Sequence, residues 1–126
     1  MTGATKTAEA DMTAARQRRL ALLARADREM LEAVWQGLGS APQFRRLKQP
    51  ETGLAMIRAR AGGTGRPFNF GEMTVTRCVV ALEPDGAMGV GYVAGRDKRK
   101  AELVALFDAL AQREDFAERI EREILL

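Results

Sequence analysis

The sequence contains no histidine, which removes the usual general base near neutral pH and the commonest metal ligand. Its single cysteine, Cys78, can form neither an internal disulfide nor a zinc site. A self-contained metalloenzyme is therefore not expected. Acid-base chemistry falls to Asp, Glu, Lys or Tyr92, and redox chemistry needs a partner or a cofactor. One Trp and one Tyr leave no stacking platform for successive bases, which argues against a nucleic-acid-binding module. No apolar run approaches the roughly 20 residues that cross a bilayer. The polar residues 1–11 lack the apolar centre of a signal peptide. A cytoplasmic protein without a membrane segment is the default expectation.

What is present fits one domain, since 126 residues can enclose one core but not two well-packed ones. With 46% hydrophobic and 29% charged residues the chain has the make-up of a globular protein, so disorder of the whole chain is not expected. A net charge of +3 and a pI near 9.5 favour anionic partners. The excess is small, so the placement of the arginines matters more than their number.

Residues 1–12 are small and polar without periodicity and read as a flexible tail, leaving 13–126 as a single domain. Leu20, Leu23, Leu31, Val34 and Leu38, with Ala24, Ala26 and Trp35, form an apolar helical stripe. Thr13 is a candidate N-cap, and Asp27 can cap a second helix after a break near Ala26. Trp35 reads as core or subunit contact. Arg16, Arg18, Arg19, Arg25 and Arg28 mostly fall off the stripe, as a solvated face does. Gly37, Gly39, Ser40 and Pro42 close the helical region.

Residues 43–48 predict a short edge strand or a helical turn, and residues 54–60 a strand with Ala55, Ile57 and Ala59 on one face. A glycine-rich bend follows, Gly62-Gly63-Thr64-Gly65-Arg66-Pro67, of the kind whose amides can approach a phosphate. Apparent strand, not helix, follows it, so it matches no phosphate-loop or dinucleotide pattern, and a hairpin connection is the simpler reading. Residues 73–82 predict a central strand. Glu83-Pro84-Asp85-Gly86 is a turn, and residues 88–94 return as its hairpin partner. Met88, Val90 and Tyr92 share one face of that return strand. Gly89 and Gly91 leave the other bare for another backbone, a helix or a neighbouring subunit. Arg77 shares a face with Val75 and Val79 and so calls for a carboxylate or phosphate partner.

Asp97 is a candidate N-cap for a helix with Leu103, Val104, Leu106, Phe107 and Leu110 on its stripe. Arg96, Lys98, Arg99 and Lys100 surround a helix start that could receive an anion, although solvated cations are the favoured reading. Asp115 is a candidate cap for a last helix carrying Phe116, Ile120 and Ile124. That helix, within 113–126, must pack on the domain or reach a partner. The element order predicts an α+β fold, a small, mainly antiparallel sheet with a central hairpin, packed by N-terminal and C-terminal helices.

Pro50-Glu51-Thr52-Gly53-Leu54, residues 58–63, the run Pro67-Phe68-Asn69-Phe70-Gly71-Glu72-Met73-Thr74-Val75-Thr76-Arg77-Cys78 and Gly91-Tyr92-Val93-Ala94-Gly95-Arg96-Asp97 closely resemble the PhnG family, subunits of the bacterial carbon-phosphorus lyase system. The resemblance spans about residues 20–112. It implies a non-autonomous subunit of a complex in which a phosphonate displaces adenine from ATP, forming alpha-D-ribose 1-methylphosphonate 5-triphosphate. It implies PhnH-, PhnI- and PhnJ-like partners, ATPase-like accessory subunits and two copies of this chain per complex. ATP and phosphonate are then substrates of the complex. The iron-sulfur cluster and S-adenosylmethionine belong to the PhnJ-like partner, nucleosidase chemistry to the PhnI-like one, and this chain binds no metal or cofactor of its own. On this reading Arg58, Arg60, Arg66 and Arg77 are candidates for substrate or phosphate binding and lie near one another at a subunit junction. Asn69, Glu72, Gly91, Tyr92, Arg96 and Asp97 are structural or interface candidates, with Glu72 set to pair with Arg77 or to hold a loop. No residue is assigned as catalytic, and a basic interaction or nucleic-acid-binding module remains the alternative.

Overall fold

The computed structural model describes the backbone of residues 2–39, 42–60 and 67–125, and the side chains of residues 14–39, 42–56, 71–113 and 116–124. In chain order the elements are α1 (Thr2–Arg25), α2 (Arg28–Gln36), β1 (Phe44–Arg60), β2 (Pro67–Leu82), β3 (Met88–Ala94), α3 (Lys98–Leu110), α4 (Glu114–Ile120) and a π-helical turn, Glu121–Leu125. The expected α+β class holds, with one antiparallel sheet in the order β1-β2-β3. Among the described residues no helix is long and apolar enough to cross a membrane.

Helical backbone begins at Thr2, not Thr13, and so takes in the stretch that composition assigns to a tail. Alanines at positions 4, 8, 10, 14 and 15 account for this, alanine being the strongest helix former. The break falls at Ala26, and Asp27 takes the extended N-cap conformation before α2 without a side-chain cap bond. Leu23, Leu31 and Trp35 are buried, with the Trp35 ring set edge-on to Phe44 and Phe107 at 6.3 and 6.1 Å.

The centre of the molecule is α3, buried on every side from Ala101 to Leu110 where the sequence predicts only a stripe. Two features allow this. Gly89 and Gly91 let its backbone lie against β3, where a Cβ at either position would collide with the Ala105 or Ala101 carbonyl. On its other sides, α1, α2 and the C-terminal segment close over it. A helix covered all round must satisfy its polar residues internally, and Glu102 and Asp108 both hold arginine partners. Asp97 caps it as expected, accepting from the Lys100 amide at 3.0 Å.

Residues 44–60 form one 17-residue strand, not two segments separated at Pro50. Register shifts between Arg46 and Lys48 and between Lys48 and Glu51 accommodate the proline, which an edge strand tolerates because its missing N–H can face away from the ladder. β2 likewise starts earlier than expected, at Pro67. Pairing of β2 with β3 stops at Val75 and Ala94, while β1 and β2 pair onward to Arg60 and Pro67. The two strands therefore continue past the three-stranded sheet as a β-ribbon arm. The tight hairpin between β2 and β3 forms as predicted, with Gly86 at φ +75° and the Asp85 carboxylate accepting from Ala87 N.

Arg113, not Asp115, occupies the N-cap position of α4. Ile120 and Ile124 are buried against the core, and Arg119 donates to the Gly37 carbonyl at 3.2 Å. Of the two arrangements the sequence leaves for this terminal segment, the described part takes the first and packs on its own domain.

Candidate functional site

Alternation along the strands gives the sheet two unlike faces. Thr76, Cys78, Val80 and Leu82 of β2 and Gly89, Gly91 and Val93 of β3 turn toward α3 and are buried. The opposite face is open to solvent. There Met73, Met88, Val90 and Tyr92 keep 38, 51, 37 and 51% of their surface exposed, an unusual density of large side chains for an uncovered face.

Three cross-strand partners, Glu51, Arg77 and Tyr92, form one row of this face, and Gly53, Val75 and Ala94 form the next. Between the rows lies a concavity of about 200 Å³ lined by Glu51, Gly53, Val75, Arg77 and Tyr92 among others. Its shape follows from Gly53, which places no side chain opposite Val75. A Cβ built there meets nothing within 4 Å. Glu51 leans toward Lys48, whose Nζ is 3.7 Å from its carboxylate. Arg77 is exposed and makes no ion pair or hydrogen bond among the described residues.

The four arginines expected to converge do not all do so. Arg77 pairs with Glu51 and Arg58 with Asn69, so Arg58 lies seven residues farther along β1, about 23 Å at roughly 3.3 Å per residue. Arg58 and Arg60 belong to the far end of the arm, with Asn69 and Pro67 as their pairing partners, while Arg77 belongs to its base. Arg66 and the glycine-rich bend, residues 61–66, lie outside the described residues, as do the side chains of Arg58, Arg60 and Asn69. The pairing of Glu72 with Arg77 does not form, because five residues along one strand put the two side chains on opposite faces. Gly91 and Asp97 act within the chain, as the bed and the cap of α3. Tyr92 is on the open face, and Arg96 is exposed at the bend before α3.

Arg16, Arg19 and Arg28 have carboxylate partners, which corrects the reading of a merely solvated face for these three, while Arg18 and Arg25 are exposed as that reading expects. Arg16 bonds Asp108 through Nε and Nη2 at 3.2 and 2.8 Å, with Arg19 at 3.6 Å from the same carboxylate. Arg28 reaches Asp97 at 2.9 Å. Arg99 bridges Glu32 and Glu102, and its hydrogen bonds pull the Glu32 carboxyl down to about 2. The start of α3 is thus occupied by the chain's own carboxylates and cations and holds no prepared anion site. Burial pushes the Cys78 thiol up to about 11, with the nearby Glu102 carboxylate adding to the rise and Arg46 opposing it. A thiol so placed is a core group, not a nucleophile. Among the described residues no group of three or more His, Cys, Asp or Glu is placed to hold a metal ion.

Sequence reasoning identified Arg77 and Tyr92 but missed Glu51, Gly53 and the emptiness between them. Pro50 and Gly53 read as chain breakers, and only the register of β1 on β2 shows that Gly53 lies mid-strand opposite Val75. The available signal was the position of Gly53 directly before an apolar run.

Two comparisons bear on function. A family model described as "Phosphonate metabolism protein PhnG" matches residues 14–126, which carries the likeness past residues 20–112 and through the C-terminal segment. The chain is also 43% identical over 112 residues to the alpha-D-ribose 1-methylphosphonate 5-triphosphate synthase subunit PhnG of Rhizobium meliloti (strain 1021). That alignment covers 89% of this chain and 71% of the relative. Neither match supports a nucleic-acid-binding module.

Proposed function

The chain belongs to the PhnG family, and from that membership we propose that it is a subunit of an alpha-D-ribose 1-methylphosphonate 5-triphosphate synthase, active only within the complex. In the reaction the bond between adenine and the ribose C1 of ATP breaks, and a phosphonate oxygen bonds to that carbon. PhnH-, PhnI- and PhnJ-like subunits are the partners, with ATPase-like accessory chains and two copies of this chain per assembly, in the cytoplasm. The iron-sulfur cluster and S-adenosylmethionine reside on the PhnJ-like subunit and serve a later bond cleavage. This chain binds no cofactor alone. The arm arginines Arg58 and Arg60, with Arg66, are proposed to approach the anionic substrate, whose phosphates suit guanidinium donors.

The observation that carries this reading beyond the family match is the one-sided sheet. A chain with no histidine leaves a large apolar face and a cation uncovered at the base of a projecting arm, which suits a component completed by neighbours better than an independent catalyst. The test is methylphosphonate-dependent adenine release from ATP by the chain alone, by the full complex and by the complex lacking this chain. The chain alone should release none, and omitting it should lower turnover at least a hundredfold. Turnover by the isolated chain, or full turnover without it, would refute the proposal.

A further inference from the structure

We propose that the open sheet face around Arg77 is the docking surface for an acidic segment of a different subunit, which seats one apolar side chain over Gly53 and Val75 and brings a carboxylate to Arg77. The inference rests on the subunit reading above and adds which surface is used and what chemistry it takes.

The first support is what Gly53 does not do for its own chain. Gly89 and Gly91 are needed because α3 lies against them, and Gly86 and Gly95 because their φ angles are +75° and +95°. Gly53 meets neither condition. It sits mid-strand without a positive φ, with open space where its Cβ would be. A strand-interior glycine weakens the strand and marks close approach by another group. Among the described residues no group makes that approach. The same holds for Gly71, whose alternation from Val75 and Met73 places it on the same face.

The size of the notch separates the occupants. At about 200 Å³ it falls below the roughly 300–1,000 Å³ of pockets that enclose small-molecule ligands. It suits one large side chain of a segment lying across the face. Tyr92 lines it, Met73, Val90 and Met88 extend the same face on either side, and Tyr, Met and Arg are residue types enriched in the centre of protein interfaces.

Charge selects the partner. On this face Lys48 offsets Glu51, and Arg45 lies 3.9 Å from Glu83, so among the described residues the uncompensated group is the Arg77 guanidinium. A planar fork beside an apolar notch is matched by a carboxylate, which it can hold through two parallel hydrogen bonds. A second copy of this chain would bring a net charge of +3 to a face whose spare charge is already positive. A triphosphate would meet one cation here where it needs several.

The test uses the full chain co-expressed with the other subunits, as wild type and as Arg77→Glu and Gly53→Leu. Both positions are exposed, and Gly53 has room for a side chain, so both variants should melt as wild type does. Each should weaken association with the partner at least tenfold, and the Arg77→Glu loss should be larger at 50 mM than at 500 mM salt. Association of both variants at wild-type affinity overturns the proposal. So does intact assembly with lost ATP-dependent turnover for Arg77→Glu, because Arg77 then serves a substrate phosphate. If the wild-type chain joins no other subunit, the subunit reading itself fails and this surface with it. If only the variants fail to join, that reading stands and the surface is confirmed.

Discussion

The backbone amide of Val90 on β3 donates to Oδ2 of Asp108 on α3 at 2.9 Å, and the same fully buried carboxylate takes two further bonds from Arg16 on α1. The consecutive elements β3 and α3 thus meet the distant α1 at one side chain. β3 is an edge strand, and Asp108 supplies an acceptor that no fourth strand provides.

Replacing Asp108 should therefore cost far more than replacing the arginine. Asp108→Ala leaves the Val90 amide unsatisfied and two guanidinium groups without their anion, a loss of about 3–5 kcal/mol. Arg16→Ala should cost about 1 kcal/mol or less, because its side chain is 41% exposed and Arg19 remains beside the carboxylate. Urea unfolding of the full-length variants measures both. Equal costs would mean that the network does not anchor the strand edge.

The glycines of the sheet should separate into two classes. Gly89→Ala forces a methyl into the backbone of α3 at Ala105 and Ala109 and should destabilise by at least about 1–3 kcal/mol. Gly53→Ala should leave stability unchanged or raise it by up to about 1 kcal/mol, because the new methyl meets nothing and the unfolded chain loses freedom. Thermal melts of the two variants side by side decide this. Similar losses at both positions would show that Gly53 is a packing residue after all.

That contrast also shows how far the sequence could be read. The hairpin of residues 73–94, the bare face of Gly89 and Gly91, the cap at Asp97 and the helix break at Ala26 all follow from local chemistry and appear in the structure. The continuity of β1 through Pro50 does not, because bulges on an edge strand are set by the partner strand and not by the proline. The pairing of Arg16 with Asp108, 92 residues apart, leaves no local trace, so an unpaired arginine and one bound to a buried carboxylate look alike in sequence. Arg77 was legible as a cation among apolar neighbours. The notch beside it depends on register, which one strand alone cannot specify.

Cys78 should be silent toward thiol reagents in the native protein. Burial on the face turned toward α3 raises its pKa to about 11, and the neighbouring Glu102 carboxylate adds to the rise, so thiolate is scarce at pH 8 and access is closed. Labelling with an aromatic disulfide reagent should yield less than one-tenth of a thiol per chain before denaturation and one thiol after it. Rapid native labelling would place Cys78 at an open site.

Acid should weaken the fold through Glu32. Hydrogen bonds from Arg99 lower its carboxyl from an ordinary value of 4.5 to about 2, with Gln36 contributing and burial opposing. A group depressed in the folded state stabilises the fold above its unfolded value and loses that contribution as protons bind. The contribution is therefore complete above about pH 5 and fades as pH falls from 4.5 toward 2. Glu32→Gln removes the titrating group, so the variant should be less stable than wild type at pH 7, and the difference between them should shrink steadily below pH 4.5. Melting temperatures of both proteins from pH 2 to 7 test this. A difference that stays constant across that range would mean that the bond between α2 and α3 depends on shape and not on the Glu32 charge.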